Sequence, residues 1–102
     1  MARARCGVGM HFEWDDIKNA FNIRKHGIDF NDATGVFAGN VFTMYDGRED
    51  YGEDRWLAVG WCRGLLTAVV YTVRADGSIL RLISARAATR KEQRHYEQDI
   101  RY

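Results

Sequence analysis

The chain has 102 residues, is 46% hydrophobic and 28% charged, and carries a formal net charge of +1. A chain of this size holds one hydrophobic core, which excludes a paired nucleotide-and-substrate domain architecture, a large barrel or a multidomain enzyme. Its composition is globular rather than disordered, and the near-zero total charge, taken alone, argues against a nucleic-acid partner.

Residues 1–9 are rich in Arg, Ala and Gly and contain no apolar segment of signal-peptide length. They read as a disordered extension, or as sequence upstream of a start at Met10, with a single domain expected over residues 10–102. His11-Phe12-Glu13-Trp14 alternates polar and apolar side chains and predicts a short edge strand. Asp15 or Asp16 can cap a helix with Ile17, Ala20 and Phe21 on one face and Gly27 as its stop. Asp29 can cap a shorter helix carrying Phe30, Ala33 and Val36-Phe37. Val41–Tyr45 reads as a strand, followed by an acidic loop from Asp46 to Asp54. Arg55–Arg63 and Leu65–Arg74 are β-rich runs meeting at a tight turn, Arg63-Gly64, and Asp76-Gly77 marks a second hairpin into Ile79–Ala87. The last helix runs from about Thr89 to Asp99, with Thr89 and Glu92 forming a capping box.

This order predicts a two-layer α+β fold: a small twisted antiparallel sheet, two N-terminal helices and one C-terminal helix, with helices on one face of the sheet. No run of about 18 apolar residues provides a membrane span. Cys6 and Cys62 have neither C-x-x-C spacing nor a disulfide framework, which fits a reduced, cytoplasmic setting.

Charge is distributed unevenly. Arg63, Arg74, Arg81, Arg86, Arg90, Lys91 and Arg94 face only Asp76 and Glu92 in the stretch from Arg63 to His95. From Asp46 to Asp54, five carboxylates accompany Arg48 alone. A basic C-terminal half and an acidic loop are a cue for an anionic partner, although each charge taken singly is better explained as surface solvation. Arginines that interrupt apolar strands are costly to bury. Arg74, Arg81 and Arg86 are therefore expected at a strand end or on an open concave surface.

Phosphate-loop, H-E-x-x-H and G-x-S-x-G motifs are absent, and His11, His26 and His95 are far apart in sequence without companion Cys ligands. No metal site and no cofactor are expected. What remains is Lys25-His26, Arg74, Arg81, Arg86, Tyr71 and Tyr96. These groups suffice for RNA cleavage in which the 2′-OH is the internal nucleophile, because that reaction needs a base, cations for the phosphate and an acid for the leaving 5′-oxygen. Arg offers permanent bidentate charge to phosphate and His exchanges a proton near neutral pH. The set is sufficient for this chemistry but not specific to it.

Phe12-Glu13-Trp14-Asp15, Lys18, Asn22, Lys25-His26-Gly27, Phe30 and Ala33…Val36-Phe37 resemble the opening of the BrnT family. Arg55-Trp56-Leu57, Gly60…Arg63-Gly64, Tyr71-Thr72-Val73-Arg74, Arg81-Leu82-Ile83-Ser84-Ala85-Arg86 and Ala88-Thr89-Arg90 with Glu92 and Tyr96 continue the resemblance over about residues 10–97. Leu80-Arg81-Leu82, where relatives often carry an Ile beside the Arg, is a conservative departure. The resemblance implies a RelE-like fold and a metal-independent endoribonuclease toxin of a type II toxin–antitoxin system, acting on mRNA to inhibit translation and growth. It also implies a ribbon-helix-helix, BrnA-like antitoxin that carries most of the complex's contact with operator DNA.

On chemical grounds Arg74, Arg81 and Arg86 are assigned to the scissile phosphate, His26 to proton transfer and Lys25 to charge support. Tyr71, Tyr96, Arg63 and Arg90 are candidate substrate-binding residues. Each has a plainer reading: Lys25 and His26 suit a helix C-terminus, and Tyr71 and Tyr96 suit a half-buried strand and a helix core face. Glu13 is set aside as a solvated edge carboxylate, and Trp56 and Trp61 as core or partner-interface groups. A noncatalytic nucleic-acid-binding or antitoxin-sequestering module is the main alternative. A small-ligand-binding α+β domain is a third reading and has no motif of its own.

Overall fold

Two turns organise the middle of the chain. In a computed structural model describing residues 2–7, 10–47 and 52–100, Arg63 and Gly64 both have positive φ, 50° and 79°. That is the geometry a two-residue hairpin of the right twist demands, and it joins β4 (Arg55–Cys62) to β5 (Leu65–Arg74). A 3₁₀ turn at Ala75–Gly77 then joins β5 to β6 (Ile79–Ala87). The remaining elements are β1 (Ala2–Gly7), β2 (Met10–Asp15), α1 (Asp16–His26), α2 (Phe30–Ala33), a 3₁₀ turn at Thr34–Ala38, β3 (Val41–Asp46) and α3 (Arg90–Ile100). Of the acidic loop, residues 48–51 lie outside the described residues.

The strands form one sheet in the order β1-β2-β6-β5-β4-β3. It is mixed, not antiparallel throughout as expected: His11–Glu13 of β2 pairs in parallel with Ile79–Arg81 of β6. Hairpin logic governs only strands adjacent in sequence, and most of the chain separates these two. Ala2–Gly7, expected as part of a disordered extension, lies antiparallel against β2.

Strand alternation sends successive side chains to opposite faces, and both faces are covered. Ala58, Cys62, Val69, Tyr71, Leu80, Leu82 and Ala85 pack with Phe12 and Trp14 against Ile28, Phe30, Ala33 and Val36 of the α2 region. Leu57, Val59, Leu66, Ala68 and Val70 turn the other way, onto Tyr96 of α3. The helices are therefore not all on one face. α3 leans on β3 and β4, and its Thr89–Glu92 capping box forms as expected (Thr89 N to Glu92 Oε1 2.8 Å, Glu92 N to Thr89 Oγ1 3.2 Å). Gly60 permits the close approach of the 3₁₀ turn to β4, since a Cβ there would stand 3.0 Å from both Cγ1 and the carbonyl oxygen of Val36.

α1 starts at Asp15, whose side chain accepts from the backbone amides of Ile17 and Lys18 at 2.8 and 3.3 Å. Those bonds, Lys18 first, hold its carboxyl below the ordinary value. The helix is turned opposite to the usual sense. Asn22 is buried, while Ile17 and Phe21 are 77% and 60% exposed. The cause lies on β6, which has no β2 partner beyond Arg81. There the Asn22 amide acts as a short stand-in strand. Its Nδ2 donates to the carbonyls of Ala85 and Ile28 (both 2.9 Å), and the Ala85 amide donates back to its Oδ1 at 3.1 Å. Asn19 does the same at the α1–α2 corner, accepting from Phe30 N and donating to Asp29 Oδ1. Leaving buried backbone groups unpaired costs more than exposing an apolar stripe.

Candidate functional site

β6 carries the centre of the site. Arg81 and Arg86 are five residues apart, an odd spacing that in a regular strand puts them on opposite faces. The pairing with β5 is irregular at Val70/Tyr71: Tyr71 faces Leu82 and Val70 faces Ser84, so Ile83 is bulged out. Arg81 then aligns with Thr72 and Arg86 with Ala68. Both β5 partners are on the side of Val70, and so both arginines are on the face that α3 shares.

Each guanidinium is held by a carboxylate. Glu13, beside Arg81 across the β2–β6 pairing, receives Arg74 at 3.0 Å and Arg81 at 3.5 Å. Arg86 grips Glu92 with two bonds, Nη1 to Oε1 at 2.7 Å and Nη2 to Oε2 at 2.9 Å, a bidentate geometry that fixes the plane of the guanidinium. Arg86 holds the Glu92 carboxyl below its usual range, against an opposing effect of burial.

The arginines therefore gather as two groups, Arg74 and Arg81 at one end of β6 and Arg86 at the other, on the order of 15 Å apart along the strand. Lys25 and His26 border the gap. Together with Lys18, Asn22, Ile83 and Ser84 they line a depression beside the middle of β6. Beyond Arg86, a cavity of about 310 Å³ is bordered by Met44, Tyr45, Asp46, Leu57, Thr89, Lys91, Glu92 and His95. The His95 ring lies nearly parallel to Phe42, with centroids 6.0 Å apart.

Three of the four expected substrate-binding residues are placed elsewhere. Tyr71 is buried in the core edge-on to Phe37, its hydroxyl pKa pushed up by burial. Tyr96 is buried under α3 and donates to the Asn40 carbonyl at 3.3 Å. Neither ring is open to stack a base, because strand alternation and the helix core face claim them for packing. Arg63 pairs with Asp32 of α2 at 3.3 Å, away from the arginines of β6. Arg90 is exposed at the start of α3. Three groups that the structure sets beside these residues were not among the sequence candidates: Glu92, read as half of a capping box and as part of the family resemblance, Glu13, set aside as solvated, and His95. The R-x-x-x-x-R spacing was the available signal for a bulge, since only an irregular strand puts both charges on one face.

Residues 14–92 match the family model described as the ribonuclease toxin, BrnT, of type II toxin–antitoxin systems. The chain belongs to the BrnT family. A comparison with curated proteins finds no match. The BrnT match spans Lys25, His26, Arg74, Arg81, Arg86 and Glu92 and stops short of His95 and Tyr96. Membership implies a ribonuclease toxin with an RNA substrate and an antitoxin partner. Among the described residues, no helix of this BrnT toxin is long and apolar enough to cross a membrane.

Proposed function

We propose that this BrnT-family toxin is a metal-independent endoribonuclease, of RelE-like fold, that cuts mRNA in the bacterial cytoplasm and so arrests translation and growth. The observation that carries the reading is the placement of Arg81 and Arg86 on one face of β6 by the bulge at Ile83, with Arg74 joined to Arg81 through Glu13. Such a face can follow an RNA backbone, with Arg86 at the scissile phosphate and Arg74 and Arg81 at a phosphate further along the strand.

In the proposed reaction the 2′-oxygen attacks phosphorus as the P–O5′ bond breaks. A base takes the 2′-hydroxyl proton, an acid supplies one to the departing 5′-oxygen, and the products are a 2′,3′-cyclic phosphate and a 5′-hydroxyl. Arg86, oriented by Glu92, stabilises charge on the equatorial oxygens without further reorganisation. His26 serves as a proton carrier, with Lys25 supporting charge. The antitoxin is a BrnA-like ribbon-helix-helix protein, and through it mainly the complex binds operator DNA.

The ion pairs favour one second reading. A guanidinium whose charge is already balanced by Glu92 offers less to the charge that builds up on phosphorus, as in a module that binds RNA without cutting it. Incubating antitoxin-free protein with single-stranded RNA in EDTA separates the two: cleavage supports the first, and salt-dependent binding without cleavage supports the second.

A further inference from the structure

α1 carries its apolar stripe on the outside. Ile17 and Phe21 are 77% and 60% exposed, Ile23 is 42% exposed, and Ala20 is exposed between them. The inward positions of the same helix are held by Asn19 and Asn22, whose hydrogen bonds to Phe30, Ala85 and Ile28 fix this orientation. The stripe is a consequence of how the helix is anchored, and rotating α1 to bury it would leave the β6 edge unpaired. Exposed apolar residues arranged along one ridge mark an interaction surface rather than scattered solvent exposure.

Charge identifies the kind of occupant. Lys18, Arg24 and Lys25 flank Ile17 and Phe21, all exposed, whereas Asp16 at the helix start is the acidic residue of α1. Apolar side chains rimmed by cations fit a segment that is apolar on one side and acidic on the other. Position adds a functional consequence: Phe21 also borders the depression shared by Lys25, His26, Ile83 and Ser84. Whatever seats on the ridge closes the approach to those residues.

We propose that the outward face of α1, with Ile17, Ala20 and Phe21 at its centre, docks an acidic amphipathic segment of the antitoxin and thereby covers the Lys25–His26 side of the site. The proposal rests on the toxin–antitoxin reading for its partner but not on the cleavage chemistry.

The test uses the full-length chain and the small protein encoded by the neighbouring reading frame. Binding is measured by calorimetry and is independent of any activity assay. Ile17→Glu/Ala20→Glu places two carboxylates on the ridge without touching Asn19 or Asn22. Its affinity for that protein falls about 30-fold or more, the loss expected at an interface hot spot, while its melting temperature, oligomeric state and RNA cleavage match wild type. Phe21→Ala weakens binding in the same direction. Unchanged affinity of the double variant overturns the proposal. So does a wild-type dimer that the double variant dissolves, which assigns the ridge to a second copy, or a selective loss of binding to a single-stranded oligoribonucleotide, which assigns it to RNA. Absence of cleavage in wild type with the affinity loss intact contradicts the cleavage reading alone.

Discussion

Arg86 and Glu92 meet through two near-parallel hydrogen bonds of 2.7 and 2.9 Å, and the same Glu92 carboxylate caps the first turn of α3 through the Thr89 amide. One side chain thus ties the end of β6 to the start of the helix that covers the opposite side of the sheet from α2. Arg86 is oriented by the fold before any substrate arrives.

That pair sets a pH dependence. The ordinary value for Glu92 is 4.5 and Arg86 holds the folded-state value below it. A depressed carboxylate stabilises the fold fully above the unfolded value and loses that contribution as pH falls through the folded one. Urea denaturation across pH 6 to 3 is therefore expected to show wild type losing more stability below about pH 4.5 than Glu92→Gln. The variant is itself less stable at neutral pH by about 1 kcal/mol, from the weakened cap and pair.

Asn22 is the anchor of α1. Asn22→Leu keeps approximate size but removes every partner of the Ala85 amide and carbonyl supplied by α1, and it is expected to cost about 2–4 kcal/mol. Asn22→Asp destabilises as well, because a carboxylate then faces the carbonyls of Ala85 and Ile28. Chemical denaturation checks both, with Asn31→Leu, in a half-buried position on α2, as the milder control.

Arg81 is expected to act on RNA through charge. The slope of log affinity against log salt drops by about 0.7 in Arg81→Ala, the value for one phosphate contact on a single strand. Arg63→Ala leaves that slope unchanged, since Arg63 pairs with Asp32 near α2. Filter binding over a salt series measures both.

Two histidines border the arginine face from different sides, His26 from α1 and His95 from α3. With His26 as proton carrier, His26→Ala slows cleavage by about 10²-fold or more and imidazole in the buffer restores part of it, while His95→Ala has the smaller effect. The opposite order moves the proton transfer to the cavity beside Arg86.

Local signals in the sequence carried much of this fold. Arg63-Gly64, the Asp15 and Asp29 caps and the Thr89–Glu92 box each depend on residues within four positions of one another, and β5 and β6 take the bounds their patterning predicts. What escaped was tertiary. The β2–β6 pairing links opposite ends of the chain, and α1 obeys the backbone needs of Ala85, 63 residues away, over its own apolar stripe. The arginines illustrate both sides. The sequence marks them as candidates, whereas their common face depends on a bulge at Ile83 set by pairing with β5, and their carboxylate partners come from β2 and α3.

The central claim is that Arg86 on β6 supports metal-free cleavage of RNA. The most direct measurement is the single-turnover rate of antitoxin-free protein on single-stranded RNA in EDTA, for wild type and Arg86→Ala of verified fold, with product ends identified. Wild type is expected to leave a 2′,3′-cyclic phosphate and to spare a substrate lacking the 2′-hydroxyl at the cut, and Arg86→Ala to be slower by about 10²–10³-fold. Cleavage that vanishes with EDTA, or that Arg86→Ala performs at the wild-type rate, would contradict it.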